Sequence, residues 1–120
     1  MPERDLFRKM GKLDQYRAFV QQLIERYGNY KPSFGEIEVE KIFDRENDHY
    51  LLANVGWNKL RRIRGAVLHI DIKGGKIWIQ HDGTERGVAN DLVEMGVPKD
   101  DIVLSFHAPY KRKYTGFAEK

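Results

Sequence analysis

Gly74-Gly75 lies between two β-rich runs, and no other feature limits the fold of this chain so tightly. The stretch from Arg62 to His81 has the composition of a hairpin with a two-residue loop. Glycine accepts the positive φ that such a turn requires. A two-residue loop sets Ile72 against Ile77 and Ile70 against Ile79. Side chains alternate along a strand, so these four isoleucines share one face. His69, Asp71, Trp78 and Gln80 occupy the other, with His69 expected opposite Gln80. One side of the hairpin is apolar; the other is polar with one large aromatic.

The chain has 120 residues, a length that suits one domain spanning 1–120. Its apolar fraction of 41% supports a core of modest size. It has no cysteine, which excludes disulfides, thiol catalysis and thiolate metal sites, and fits a reducing cytoplasm. No apolar run approaches the ~20 residues of a membrane helix, and Met1 to Asp5 lacks the apolar core of a signal peptide. The net charge of +3 is mild and argues little for nucleic acid.

Leu6, Met10, Leu13, Tyr16, Val20, Leu23 and Tyr27 recur at helical steps, widened by Phe19 and Ile24, and predict a helix from about Asp5 to Tyr27. Gly28 is the expected stop. Gly11 is a weak point, where a break would leave a main helix from Leu13. Residues 1–12 read as an extension of that helix. Residues 29–35 connect to a half-solvated strand, Glu36 to Phe43, where Ile42-Phe43 breaks the alternation and marks a bulge or strand end. A polar turn over 44–48 leads to a second strand, His49 to Trp57, apolar on both faces and therefore central. Gly56 suggests a bulge or a close approach. Asn58-Lys59 then turns into the hairpin. Asp82 and Glu85 have capping-box spacing and open a second helix, with Thr84 as the other candidate cap, Val88, Leu92 and Met95 on its apolar face and Gly96 as its stop. Ile102 to Phe106 is a fifth strand. The segment 107–120 has no period and reads as an extended arm. The expected class is α+β: an antiparallel four- to five-stranded meander, a long N-terminal helix and a second helix before the last strand.

Chemistry-bearing patterns are sparse. His49, His69, His81 and His107 are the histidines, and no spacing among them matches a ligand motif, so neither metal nor cofactor is expected. Ser33 and Ser105 lie outside any strand–Ser–helix elbow. The glycine-rich pieces match neither a phosphate loop nor a dinucleotide fingerprint. Two basic groups remain: Lys59, Arg61, Arg62 and Arg64, and then Lys111, Arg112 and Lys113 among Tyr110, Tyr114 and Phe117. Basic and aromatic residues together suit phosphates and bases, but they also suit a charged sheet edge or a protein interface.

The runs Asp48-His49-Tyr50, Val55-Gly56-Trp57, Ile77-Trp78-Ile79-Gln80, Val97 to Leu104 and Tyr114-Thr115-Gly116-Phe117 give the chain a family likeness. From about Leu13 to Ala118 it resembles the XisI family, the fdxN element excision controlling factor proteins common in cyanobacteria. Members often carry Asp-Gly after the tryptophan, where this chain has Asn58-Lys59, and often begin near the position of Met10. The resemblance implies a non-enzymatic accessory factor with no catalytic residues. Such a factor helps control programmed excision of a DNA element in heterocyst-forming cells by binding an XisH-like protein. A cytoplasmic homodimer is expected. The residues expected to meet the partner are Trp57, Trp78, Gln80, Tyr110, Tyr114 and Phe117. The alternative is direct DNA contact through Lys59, Arg61, Arg62, Arg64, Lys111, Arg112 and Lys113.

Overall fold

The computed structural model describes residues 10–120. Helix α1 spans Lys12–Gly28. Of the expected helix, positions before Met10, Leu6 among them, lie outside the described residues. Met10 and Gly11 are not helical, and Gly11 caps α1 in an extended conformation at φ −64°, ψ 161°. The break therefore falls at the glycine, where helix propensity is poorest. Gly28 differs from expectation too: it is the last helical residue, and Asn29 follows it in a right-handed conformation. A Cβ on Gly28 would lie 2.6 Å from Lys41 Cε and 3.1 Å from Leu52 Cδ1. The glycine thus lets the end of the helix sit close on the sheet.

Strand β1 is Glu36–Asp44, β2 is His49–Asn58, β3 is Arg61–Lys73 and β4 is Lys76–Asp82. They form the expected antiparallel meander, and Ile70↔Ile79 and Ile72↔Ile77 pair as the glycine turn requires. Ile42-Phe43 is neither a bulge nor a strand end; β1 stays in register through Phe43↔Tyr50 and Asp44↔His49. Gly56 marks a close approach, since its Cβ would fall 2.0 Å from the Glu36 carbonyl oxygen. The bulges lie elsewhere. Leu52 pairs with Leu68 while Ala53 pairs with Ala66, which makes Val67 the extra residue of β3. His69 pairs with His81, not Gln80, because Gln80 is the extra residue of β4. In the turn after β2, Lys59 and not Asn58 takes the positive φ, 56°, and Leu60 stands almost wholly in solvent.

Helix α2, Val88–Glu94, starts six residues beyond the expected cap. Asp82 still serves it from a distance: its Oδ1 accepts from the Thr84 N–H and hydroxyl, and its Oδ2 accepts from the Val88 N–H at 2.8 Å. Gly96, at φ 106°, ends the helix as expected, with Gly96 N–H donating to Val93 O and Val97 N–H to Leu92 O. A 3₁₀ turn at Lys99–Asp101 leads to β5, Ile102–Leu104, shorter than expected and parallel to β4. The remaining chain is not an extended arm. It forms a short helix α3, Pro109–Arg112, and returns so that the Ala118 N–H donates to the Ile102 carbonyl beside β5. Three guanidinium contacts from Arg112, to the carbonyls of His107, Ser105 and Glu119, hold this fold-back.

The core forms where α1 (Tyr16, Val20, Leu23, Ile24) and α2 (Val88, Leu92) meet Tyr50, Leu52, Leu68 and the isoleucine face of the hairpin. Three aspartates fasten α1 along its length. Tyr16 donates to Asp101 at 2.5 Å, and Lys12 pairs with the same carboxylate. Arg17 holds Asp48 through two bonds of 2.7 and 3.0 Å, and Asp48 also accepts the buried Tyr50 hydroxyl. Tyr27 donates to Asp91, which Arg86 pairs at 2.8 Å. Desolvation of the phenols, followed by these hydrogen bonds, pushes Tyr27 and Tyr50 up to about 12.

Candidate functional site

Because α1 and α2 share the isoleucine face, the alternate residues of the strands form the other face of the sheet. By register these are Glu38, Glu40 and Ile42 on β1, His49 to Trp57 at every second position on β2, and Arg62, Arg64, Ala66, His69 and Asp71 on β3. Leu51, Ala53 and Val55 remain half-buried with none of the described helices over them, while Ile42 and Trp57 are exposed, Trp57 at 50%. The result is an apolar stripe between the glutamates of β1 and the arginines of β3.

The expected partner-binding residues do not gather in one patch. Trp57 lies at one end, with the Arg62 guanidinium 5.4 Å from its ring centre. Trp78 lies at the other. Asp71, its strand partner, is nine residues along β3 from Arg62, about 30 Å at ~3.3 Å per residue. The Lys73 ammonium sits 4.0 Å above the Trp78 ring, and Arg112 flanks it at 5.9 Å. Gln80 donates to Asp71 Oδ2 at 3.2 Å. Tyr110 and Tyr114 are 70% and 78% exposed, whereas Phe117 packs on the core. The basic groups separate in the same way. Lys59, Arg61, Arg62 and Arg64 are exposed at the β2–β3 turn, and Lys111 and Lys113 are exposed beyond β5. Arg112 is committed to its carbonyls.

Two features carry no local sequence signal. The first is a recess of about 890 Å³ on the helix side, where Tyr27, Tyr30 and Pro32 face Val39, Leu52 and Val67. It forms because α1 ends before the sheet does. The second is a side-chain cluster on the open face. His49 Nδ1 lies 2.8 Å and His69 Nε2 3.0 Å from the same Asp71 oxygen. The hydrogen bond to Asp71, with its negative charge, raises the His49 pKa above the usual imidazole range. No spacing along the chain resembles a ligand motif; the sheet adds His49 to the His69 and Asp71 of one strand. The Val67 bulge makes it possible. Continuing the register of the Asn58↔Arg61 pair without it would set His49 against Ile70, whereas His49 in fact meets Asp71.

An α+β sheet with both α1 and α2 on one side, and none of the described helices over the apolar stripe on the other, defines a small scaffold with an exposed platform. The chain belongs to the XisI family: the XisI protein family profile matches residues 10–119. It is similar to a crystal structure of a XisI-like protein from Anabaena variabilis ATCC 29413, at 47% identity and TM-score 0.84, over 88% of this chain and 97% of that one. It is also similar to the fdxN element excision controlling factor XisI from the same organism, at 34% identity and TM-score 0.82, over 92% of this chain and all of that one. No curated protein matches the sequence. Among the described residues no helix is long and apolar enough to cross a membrane.

Proposed function

We propose that this chain is a non-enzymatic accessory factor that controls excision of a DNA element by docking an XisH-like protein on its open sheet face. The observation that carries this reading is the stripe of Leu51, Ala53, Val55 and Trp57, which none of the described helices covers. A partly apolar sheet face flanked by charge is the kind of surface a protein partner buries. The kinship with a protein named as an excision controlling factor supports the regulatory role.

Co-expression with the XisH-like companion, followed by size-exclusion chromatography, tests the proposal. A co-eluting complex is expected, and Val55→Lys should abolish it while leaving the circular dichroism unchanged. A chain that elutes alone beside its companion overturns the reading. A complex indifferent to Val55→Lys removes the sheet face as the dock. Light scattering on the free chain tests the accompanying proposal of a homodimer.

A second reading, direct DNA contact, draws on the four exposed cations at the β2–β3 turn. It requires an affinity that falls steeply with salt and a salt slope that drops by about one when Arg62 becomes Ala. Absence of binding at low salt removes it.

A further inference from the structure

We propose that His49, His69 and Asp71 form a binding site for one divalent transition-metal ion of the zinc type. The site would lie on the open face of the sheet.

The first argument is charge. Asp71 has a side chain only 14% exposed, and its ion pairs are to His49 and His69. Asp48, Asp91 and Asp101 are each held by a fixed cation, Arg17, Arg86 and Lys12 respectively. At Asp71 two histidine imidazoles take that place. A divalent ion supplies positive charge where fixed cations serve elsewhere.

The second argument is geometry. One ligand atom from each of the three residues lies within 4.8 Å of the other two. Around an ion bound at ~2.0–2.1 Å, neighbouring ligand atoms stand roughly 2.9–3.4 Å apart. The two imidazole–carboxylate separations, 2.8 and 3.0 Å, are close to that spacing. Two imidazoles with one carboxylate are a donor set suited to zinc, nickel or cobalt, and a poor one for calcium or magnesium.

The third argument is support. His49 and Asp71 are register partners on β2 and β3, and His69 is two residues from Asp71 on the same face, so the sheet fixes all three backbones. Gln80, the bulged residue of β4, donates to Asp71 Oδ2 and orients the carboxylate while leaving Oδ1 to the imidazoles. The 53% exposure of His49 leaves the remaining coordination positions open to water or to a ligand from a partner.

Calorimetric titration of zinc chloride into the full-length chain at neutral pH tests the site. One equivalent should bind. Asp71→Asn should weaken binding at least about tenfold, and His49→Ala with His69→Ala should abolish it. His81→Ala and His107→Ala should change the affinity less than about twofold. No saturable binding, binding retained in the double variant, or binding lost in His81→Ala overturns the proposal. Ring-nitrogen NMR of the unaltered protein gives a readout independent of folding in the variants. Zinc should perturb His49 Nδ1 and His69 Nε2, and perturbation of the other nitrogens alone also overturns it.

Discussion

Asp48 offers the sharpest test of how α1 is held. The residue is 9% exposed, follows the β1–β2 turn at φ 58°, and takes both Arg17 bonds and the Tyr50 hydroxyl. Asp48→Asn is the informative change, because asparagine tolerates the left-handed backbone and keeps one acceptor oxygen. The variant loses the charge that strengthens the Arg17 bonds and leaves either Arg17 or the fully buried Tyr50 hydroxyl short of a partner. Breaking a buried ion pair costs about 3–5 kcal/mol. The Arg17 side chain is 21% exposed, so water recovers part of that and a loss of about 2 kcal/mol is expected. For a chain of this size that lowers Tm by about 8–10 °C. Urea denaturation at pH 7 measures the loss, and a cycle with Tyr50→Phe should give a coupling of about 1 kcal/mol. The pH dependence is a second check. The hydrogen bond from Arg17 leads the interactions that hold the Asp48 carboxyl below its ordinary value. Its contribution is therefore complete above the unfolded value near 3.9 and is lost as pH falls through the lower folded value. Asp48→Asn should flatten the acid limb of the stability curve. A loss under about 0.5 kcal/mol, or zero coupling to Tyr50, refutes this account of the fastening.

Other outcomes follow from the same geometry. Gly56→Ala should destabilise by about 3 kcal/mol in urea, since its Cβ would meet the backbone of Glu36 and Ile37, whereas Gly65→Ala, with open space around it, should stay within about 0.5 kcal/mol. In an alkaline titration followed at the tyrosinate band, Tyr27 and Tyr50 should ionise near 12. Their raised values add stability that is complete below pH ~10 and is lost as pH climbs towards 12. Arg112→Ala should free the carbonyls of Ser105 and His107 and uncover Trp78, speeding amide exchange over residues 105–119 and red-shifting emission in a Trp57→Phe background, at about 1 kcal/mol of global stability.

The hairpin was legible because two independent signals agreed: a glycine pair set the turn, and the isoleucines set the face. The N-terminal helix was legible in its stripe and in its weak point at Gly11, where the break falls; at its far end Gly28 is the last helical residue and acts through packing distance. Bulges were not legible. Ala66-Val67-Leu68 is a run of three apolar residues, and alternation alone cannot say which is the extra one. A signal did exist: Tyr50 and Leu52 can share the core face with Ile70 and Ile72 only if one residue is skipped between there and the turn. The capping signal at Asp82 was real in chemistry and wrong in distance, because the carboxylate reaches over a loop to Val88. The fastening aspartates had no local signature, since Tyr16 and Asp101 are 85 residues apart.

The runs that betray the family are mostly parts of this framework. Asp48 and Tyr50 anchor α1, Gly56 permits the approach of β1, Asp101 receives Tyr16, and Thr115 ties the C-terminal segment by accepting from the Phe117 N–H and donating to the Arg112 carbonyl. Kinship read from such residues therefore carries over a shape before it carries over an activity. Within Asp48-His49-Tyr50 the alternation of the strand divides the labour. Asp48 and Tyr50 serve the interior, and His49, between them, points to the open face and to Asp71. Substituting His49 leaves every α1 fastening intact, while substituting Asp48 breaks one and substituting Tyr50 strips a hydrogen bond from it, so the same short run separates a defect of the platform from a defect of what the platform presents.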